Sequence, residues 1–149
     1  LAMFLRKRIG PVEGTLYVLV QIAGGLLGVL AAHLMFEAPA LDLGQRVRAG
    51  PSQWFSEAVA TFGLVFFIFL AVKTESRAVP WVVGLYITAA YWFTASTSFA
   101  NPAVTVARSF TDTFSGIRPD DAPAFIAAQL AAAVLAVWIA HLVEPRTEP

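Results

Sequence analysis

The sequence predicts an all-α membrane protein, a bundle of spanning helices with one short helix that starts inside the bilayer. Of its 149 residues, 58% are hydrophobic and 13% are charged, whereas soluble domains of this size carry about 25% charged residues. Several apolar stretches reach the roughly 20 residues that a helix needs to cross a bilayer. Between the last two of these stretches stands a polar triplet followed by a short helix-like run, at 101–108.

Four stretches are predicted to span the membrane. The segments between them are rich in Gly, Pro and charged residues, as expected where helices end. One such stretch can be a buried helix of a soluble protein, but four in a chain this short favour a membrane protein. Within a single partial domain, 1–149, the predicted spans are 16–36, 55–72, 79–99 and 122–143.

The distribution of Lys and Arg predicts the orientation, because these residues are enriched on the cytoplasmic side. The basic cluster before the first span is assigned to the cytoplasm, which places six basic residues inside and three outside. The chain is expected to be a multi-pass protein of the cell (inner) membrane. The inside set is Arg6, Lys7, Arg8, Lys73, Arg77 and Arg146, and the outside set is Arg46, Arg48 and Arg118.

Asn101 and Pro102 together form a helix-start signal. Asn is a good N-cap, because its side-chain oxygen accepts from a free N–H of the first turn, and Pro fits the first helical position. The helix predicted at 102–114 would be about 20 Å long at 1.5 Å per residue, which is too short to cross a bilayer. It is therefore predicted to enter the membrane and return to the same side. The alternative is an ordinary Asn-Pro turn.

The chain also contains an internal repeat. The stretch from Gln21 to His33 matches the stretch from Gln129 to His141 at a constant offset of 108 positions. When the match is extended backwards with a three-residue difference in loop length, Leu1-Ala2 pairs with Val106-Ala107, and residues 1–10 correspond to the segment that follows Asn-Pro-Ala. We therefore expect a first copy of this motif upstream of the chain, with 1–10 as the remnant of its helix.

These features resemble the aquaporin and aquaglyceroporin (major intrinsic protein) family. The resemblance rests on Asn-Pro-Ala after a third span, on Gln129 in the next span, and on Glu57-x-x-x-Thr61-Phe62 in the second. It implies an aquaporin-like inverted-repeat bundle. Here that bundle would have four spanning helices, one re-entrant half-helix and the remnant of the other. A homotetramer is also implied.

The resemblance assigns roles to individual residues. Asn101, with Pro102 and Ala103, would form the pore constriction and offer an amide donor to the passing solute. Glu57 would accept hydrogen bonds that hold the pore loops. Thr61, Gln21 and Gln129 would support those loops as well.

The selectivity filter departs from the common family pattern. Val104 stands where most members have Arg, so it offers neither charge nor hydrogen bond and predicts a wider, more apolar filter. Arg108 follows one turn later on the same helix face. Two readings stay open for it: a charge placed deeper in the path, or a partner of Glu57 or Asp112.

Two further filter positions are expected. The third span contributes either Ala89, which would widen the filter, or Tyr91, which would add an aromatic wall. Ser98 occupies the loop position three residues before Asn101. Neither candidate of the third span is the His typical of strict water channels.

The sequence therefore predicts a passive channel for water, glycerol-like polyols and arsenite as arsenous acid. The arsenite assignment comes from the resemblance to bacterial members associated with arsenic-resistance operons. A secondary transporter with broken helices and an inactive truncated channel are the alternatives. Glu57, His33 and His141 lack the spacing of a catalytic or metal site, so no enzyme, metal or cofactor is expected. The zero net charge gives no reason to expect nucleic acid.

Overall fold

The computed structural model describes residues 1–143, within which all regular secondary structure is helical. Arg146, which was counted in the orientation, lies outside the described residues. Short 3₁₀ turns precede the fourth and sixth helices, at Ser76–Ala78 and Pro119–Asp121. The α-helices are α1 (Ala2–Leu5), α2 (Pro11–Met35), α3 (Pro51–Thr74), α4 (Val79–Phe93), α5 (Pro102–Arg108) and α6 (Ala122–Val143).

Three helical segments of the described chain are long and apolar enough to cross a membrane. They are Pro11–Met35, Pro51–Thr74 and Pro119–Val143. Much of their outer surface consists of exposed Leu, Val, Phe and Trp side chains, which suits a hydrocarbon environment and not water. The prediction of an all-α, multi-pass membrane protein is confirmed. The helices of the first two predicted spans begin earlier than expected, at Pro11 and Pro51, with Pro in the first turn of each.

The third predicted span, 79–99, is wrong at its C-terminal end. Helix α4 ends at Phe93 and has 15 residues. The next residue, Thr94, is extended, with φ −103° and ψ 140°. The N–H of Ala95 donates to Ser56 Oγ of α3 at 2.8 Å, and the N–H of Ser98 donates to Ser96 Oγ at 3.3 Å, so side-chain acceptors take the place of the helical ones. Counting apolar residues alone missed this break.

The predicted short helix at 102–114 is also wrong at its end, because α5 stops at Arg108. The chain turns there. Ser109 N–H donates to the carbonyl of Val106, and Ile117 N–H donates to the carbonyl of Arg108, each at 3.1 Å. Residues 109–117 therefore form a compact turn that folds back onto the end of α5. At seven residues, α5 is much too short to cross a bilayer.

Helix α5 lies between α2 and α6, and α3 packs against α6 and α4. A small hydrophobic cluster of Phe99, Ile117 and Phe125 lies under α5, with Val104 packed on it. Helices α2 and α5 approach closely at Gly25, where an added Cβ would lie 2.9 Å from the Cβ of Ala107. Such close approach needs a small residue, as in many membrane helix pairs.

Two loops meet at one end of the bundle, the loop before α3 and the loop before α6. Gly44 N–H donates to Ser109 at 3.1 Å, and Arg118 N–H donates to Arg46 at 2.8 Å. The orientation predicted from the basic cluster before the first span places both loops on the outer side. The fold thus gathers both loops next to the C-terminal end of α5.

Candidate functional site

The loop from Thr94 to Asn101 leads into α5 through an unusual backbone. Thr97, Ser98 and Ala100 have positive φ angles of 63°, 47° and 50°. Non-glycine residues in this region cost about 1–3 kcal/mol each and persist only where their surroundings hold them in place. The loop therefore needs strong external support.

Glu57 of α3 supplies that support. Its fully buried carboxylate accepts from the N–H of Phe99 through Oε1 and from the N–H of Ala100 through Oε2, both at 2.9 Å. Hydrogen bonds to an ionised acceptor are roughly twice as strong as neutral ones. One side chain thus fixes two consecutive peptide groups just before Asn101.

Gln129 of α6 connects this carboxylate to α5. Its amide nitrogen donates to Glu57 Oε2 at 2.7 Å and to Thr105 Oγ1 at 2.9 Å. Thr105 also contacts Gln129 Oε1 at 3.2 Å. Thr105 was not among the predicted site residues, although its position four residues after Asn101 places it one turn into the same helix.

Asn101 caps α5 as predicted. Its Oδ1 accepts from the N–H of Ala103 at 2.8 Å, and Pro102 is the first helical residue. The N-cap prediction is confirmed, and the ordinary-turn alternative is excluded. The cap uses Oδ1 and leaves the amide nitrogen of Asn101, the donor end of the side chain, out of this hydrogen bond.

One face of α5 lines a cavity of about 570 Å³ between α5 and α2. Val104, Ala107 and Arg108 contribute to it, followed by Thr111 beyond the helix end. The spacing of three and four residues places them on one face. Most of the wall is apolar, and the polar groups gather near Arg108.

Arg108 does not form either of the ion pairs considered from the sequence. Among residues 1–143 the structure has no hydrogen bond or salt bridge from Arg108 to Glu57 or Asp112, whose Oδ1 instead accepts from Gln45 N–H at 3.0 Å. The guanidinium carbon of Arg108 lies 4.4 Å from the ring centre of Phe99 and 5.8 Å from that of Tyr91. Both distances are within the range of cation–π contact.

Comparison with known proteins decides the family. Over 133 residues the chain is 58% identical to aquaglyceroporin AqpS of Rhizobium meliloti (strain 1021), a match that covers 87% of this chain. The chain belongs to the aquaglyceroporin family. It spans 57% of the length of AqpS. No family model matches the chain, and no solved structure matches it. Aquaglyceroporins are channels and not enzymes, in agreement with the sequence prediction.

Of the remaining predicted site residues of this aquaglyceroporin, some lie near α5 and others are exposed away from it. Tyr91 lies beside Arg108, whereas Ala89 is on an exposed face of α4. Ser98 is buried in the loop before Asn101. Thr61 is buried in α3, one helical turn after Glu57, and its hydroxyl has no hydrogen-bond partner in the described chain. Gln21 is exposed on α2 and is not brought to the site.

Arg48 is a buried residue of the site region that the sequence analysis used only for orientation. Its guanidinium donates to three carbonyl oxygens, those of Ser96, Phe114 and Gly116, at 2.8–2.9 Å. Burial, with Arg46 and Arg108 nearby, lowers the pKa of Arg48 to about 10, so it stays charged at neutral pH. It ties the loop before α3 to the loops on both sides of α5. Nothing in the local sequence distinguishes it from a surface Arg.

His33 is the second residue whose place only the fold reveals. Its Nε2 lies 2.8 Å from Thr111 Oγ1 in a buried contact just beyond the end of α5. Thr111 in turn donates to Thr113 at 3.2 Å. The repeated Gln and His of the sequence were the available signal, since His33 and Gln129 both reach α5 or its continuation.

Proposed function

We propose that this aquaglyceroporin acts as a passive transmembrane channel for small neutral solutes: water, glycerol-like polyols and arsenous acid. The observation that carries the proposal is the position of Val104 on the face of α5 that lines the 570 Å³ cavity. An aliphatic side chain there leaves space and adds neither charge nor a hydrogen-bonding group. Neutral solutes larger than water are favoured by such a filter.

The support around Asn101 fits a pore constriction. Its amide nitrogen is left as a donor because Oδ1 caps α5, and Pro102 and Ala103 fix the start of that helix. The Glu57 carboxylate holds the preceding peptide groups. A constriction of this kind must be rigid, because solute selection depends on a constant diameter and donor position.

For the remaining filter positions we favour Tyr91 over Ala89. Tyr91 is within cation–π distance of Arg108, whereas Ala89 is exposed on α4. Ser98 is the expected loop contribution, and Thr61 and Gln129 the expected supports. Assembly as a homotetramer in the inner membrane, and residues 1–10 as part of a second half-helix, belong to the same proposal.

Val104→Arg tests the proposal. In proteoliposomes, stopped-flow permeability of glycerol and arsenous acid should fall about tenfold, which corresponds to about 1.4 kcal/mol of added barrier, and water permeability should fall less. The added guanidinium narrows the passage, which affects larger solutes most. Val104→Ile, which adds one methyl group and no charge, is the matched control. Unchanged solute preference in Val104→Arg would contradict the filter assignment.

The kinetics of flux separate a channel from a secondary transporter, the alternative raised by the broken helices. Glycerol flux through the wild-type protein should be non-saturating and independent of a proton gradient. Accumulation of solute against its own gradient, driven by protons, would refute the channel.

A further inference from the structure

Arg48 is buried where the loop before α5 and the turn after it come together. The residue is 4% exposed. Its Nη1 donates to the carbonyl of Ser96, before α5, whereas Nε and Nη2 donate to the carbonyls of Gly116 and Phe114, after it. The backbone N–H of Arg48 donates to Asp121 Oδ2 at 2.9 Å. One residue is therefore hydrogen-bonded on both sides of α5.

The three acceptors explain why this position needs a guanidinium. Each nitrogen of the Arg48 side chain donates to a different carbonyl at 2.8–2.9 Å, which uses the rigid planar fork that Lys lacks. The acceptors are neutral, and no salt bridge joins Arg48 to a carboxylate among residues 1–143. The arrangement therefore fixes the spacing of three carbonyl groups, which a single ammonium group cannot do equally well.

Arg48 and Glu57 hold opposite ends of the same loop. Glu57 accepts from the two peptide groups just before the cap of α5, and Arg48 donates to the carbonyl of Ser96. Between these two points Thr97 and Ser98 have positive φ angles, a conformation that persists only where the surroundings hold it. Arg48 also donates to the turn after α5, so it couples the two segments that flank this helix.

Phe99 connects Arg48 to the proposed filter. The guanidinium carbon of Arg48 lies 5.1 Å from the ring centre of Phe99, within the range of cation–π contact. The Phe99 ring meets that of Phe125 edge-on at 5.3 Å. Both rings belong to the hydrophobic cluster on which Val104 packs. A shift of Phe99 therefore changes the surface that supports Val104.

We infer that Arg48 is a positioning residue that sets the upper size limit for neutral polyols in this channel. The inference rests on the proposed function, because it concerns the width of the same filter. Arg48 acts on the solute only through the loops and through Phe99. With these held, Val104 keeps one position beside the cavity. Without the three hydrogen bonds the loops separate, the passage widens, and longer polyols enter.

The test compares two polyols in proteoliposomes, glycerol and the six-carbon sorbitol. Arg48→Lys keeps the charge but loses the fork, and it should raise the sorbitol-to-glycerol permeability ratio about threefold. Arg48→Met removes all three hydrogen bonds and should raise the ratio about tenfold. Both factors lie in the range that the loss of one or more hydrogen bonds produces. Arg46→Met is the matched control, because the Arg46 guanidinium lies over the exposed ring of Phe114, and it should match the wild type.

The permeability ratio separates positioning from stability. A variant that only folds less well has fewer active channels, which lowers both permeabilities equally and leaves their ratio unchanged. Hydrogen exchange in detergent micelles provides a second measurement, since it reports local opening of the backbone. Exchange at 94–101 and 109–117 should rise in both Arg48 variants and stay at the wild-type level in Arg46→Met.

The outcomes distinguish this inference from the proposed function. Absence of glycerol flux in the wild-type protein would refute the channel itself. Normal wild-type flux with an unchanged ratio in both Arg48 variants would refute only the inference, even if exchange rises, because Arg48 would then be purely structural. A raised ratio in Arg48→Met with a wild-type ratio in Arg48→Lys would overturn it too, since charge and not the fork would then matter. If Arg48→Met fails to fold, Arg48→Lys carries both measurements.

Discussion

Helices α2 and α6 contain the same Gln-to-His repeat but bury opposite ends of it. In α2, Gln21 is exposed and His33 is buried. In α6, Gln129 is buried and His141 is exposed. The two helices therefore contact α5 through different members of the same pair.

The difference follows from where each helix meets α5. Gln129 reaches Thr105 near the start of α5 and bonds the Glu57 carboxylate at the same time. His33 reaches Thr111 just after α5 ends. Helix α6 thus holds the start of α5 in a charged hydrogen-bond network, whereas α2 contacts the turn after the end of α5, beside the cavity. The comparison separates a residue that supports the start of α5 from one that contacts the turn after its end.

The largest effect is expected from breaking the charged network. Glu57→Leu removes three hydrogen bonds to a buried carboxylate and should lower the free energy of unfolding by at least about 3 kcal/mol. Denaturant unfolding in detergent micelles measures it. Glu57→Gln, of nearly equal size, keeps one acceptor oxygen and should fall between Leu and wild type. A Leu variant as stable as wild type would show that the loop does not depend on Glu57.

The repeat itself provides the second comparison. Gln129→Leu leaves Thr105 and Glu57 short of a partner and should cost about 2 kcal/mol. Gln21→Leu, the same substitution at the equivalent exposed position, should change stability by less than about 0.5 kcal/mol. The same unfolding assay applies to both. Equal effects at the two positions would mean that the reversed burial has no energetic consequence.

The smallest effect is expected where α2 approaches α5. Gly25→Ala places a Cβ 2.9 Å from that of Ala107, and the overpacking should cost about 1 kcal/mol net. Gly24→Ala is the matched control, since no atom lies within 4 Å of its added Cβ. It should stabilise α2 by about 0.5 kcal/mol, because Ala is the better helix former. A destabilised Gly24→Ala with a neutral Gly25→Ala would place the helix contact elsewhere.

Local rules predicted the parts of the fold that local chemistry controls. The span of α6 and the cap of α5 at Asn101 follow from apolar length and from N-cap preference. The ends of α4 and α5 were missed, because a helix end in an apolar segment depends on competing hydrogen bonds. Those bonds come from residues distant in the chain, such as Glu57 at the loop after α4.

The candidate site divides in the same way. The sequence singled out Asn101, Val104, Glu57 and Gln129, and the fold gathers all four around α5. It also singled out Gln21, which the fold leaves exposed. Arg48 stands out only in three dimensions, because an ordinary Arg becomes distinctive through burial and partners. The repeat marked His33, but it did not indicate which side chain His33 would contact.

The sequence by itself determined that this chain is a membrane protein, that a short helix begins at Asn101 and Pro102, and that a Val stands at position 104. These properties depend on apolar length, on capping chemistry and on residue identity. The tertiary structure alone decided which member of each repeated pair reaches α5 or the turn after it, and that Arg108 lies over the Phe99 ring and not against Glu57 or Asp112. Such contacts join residues far apart in the chain, and no local pattern encodes the distance between them.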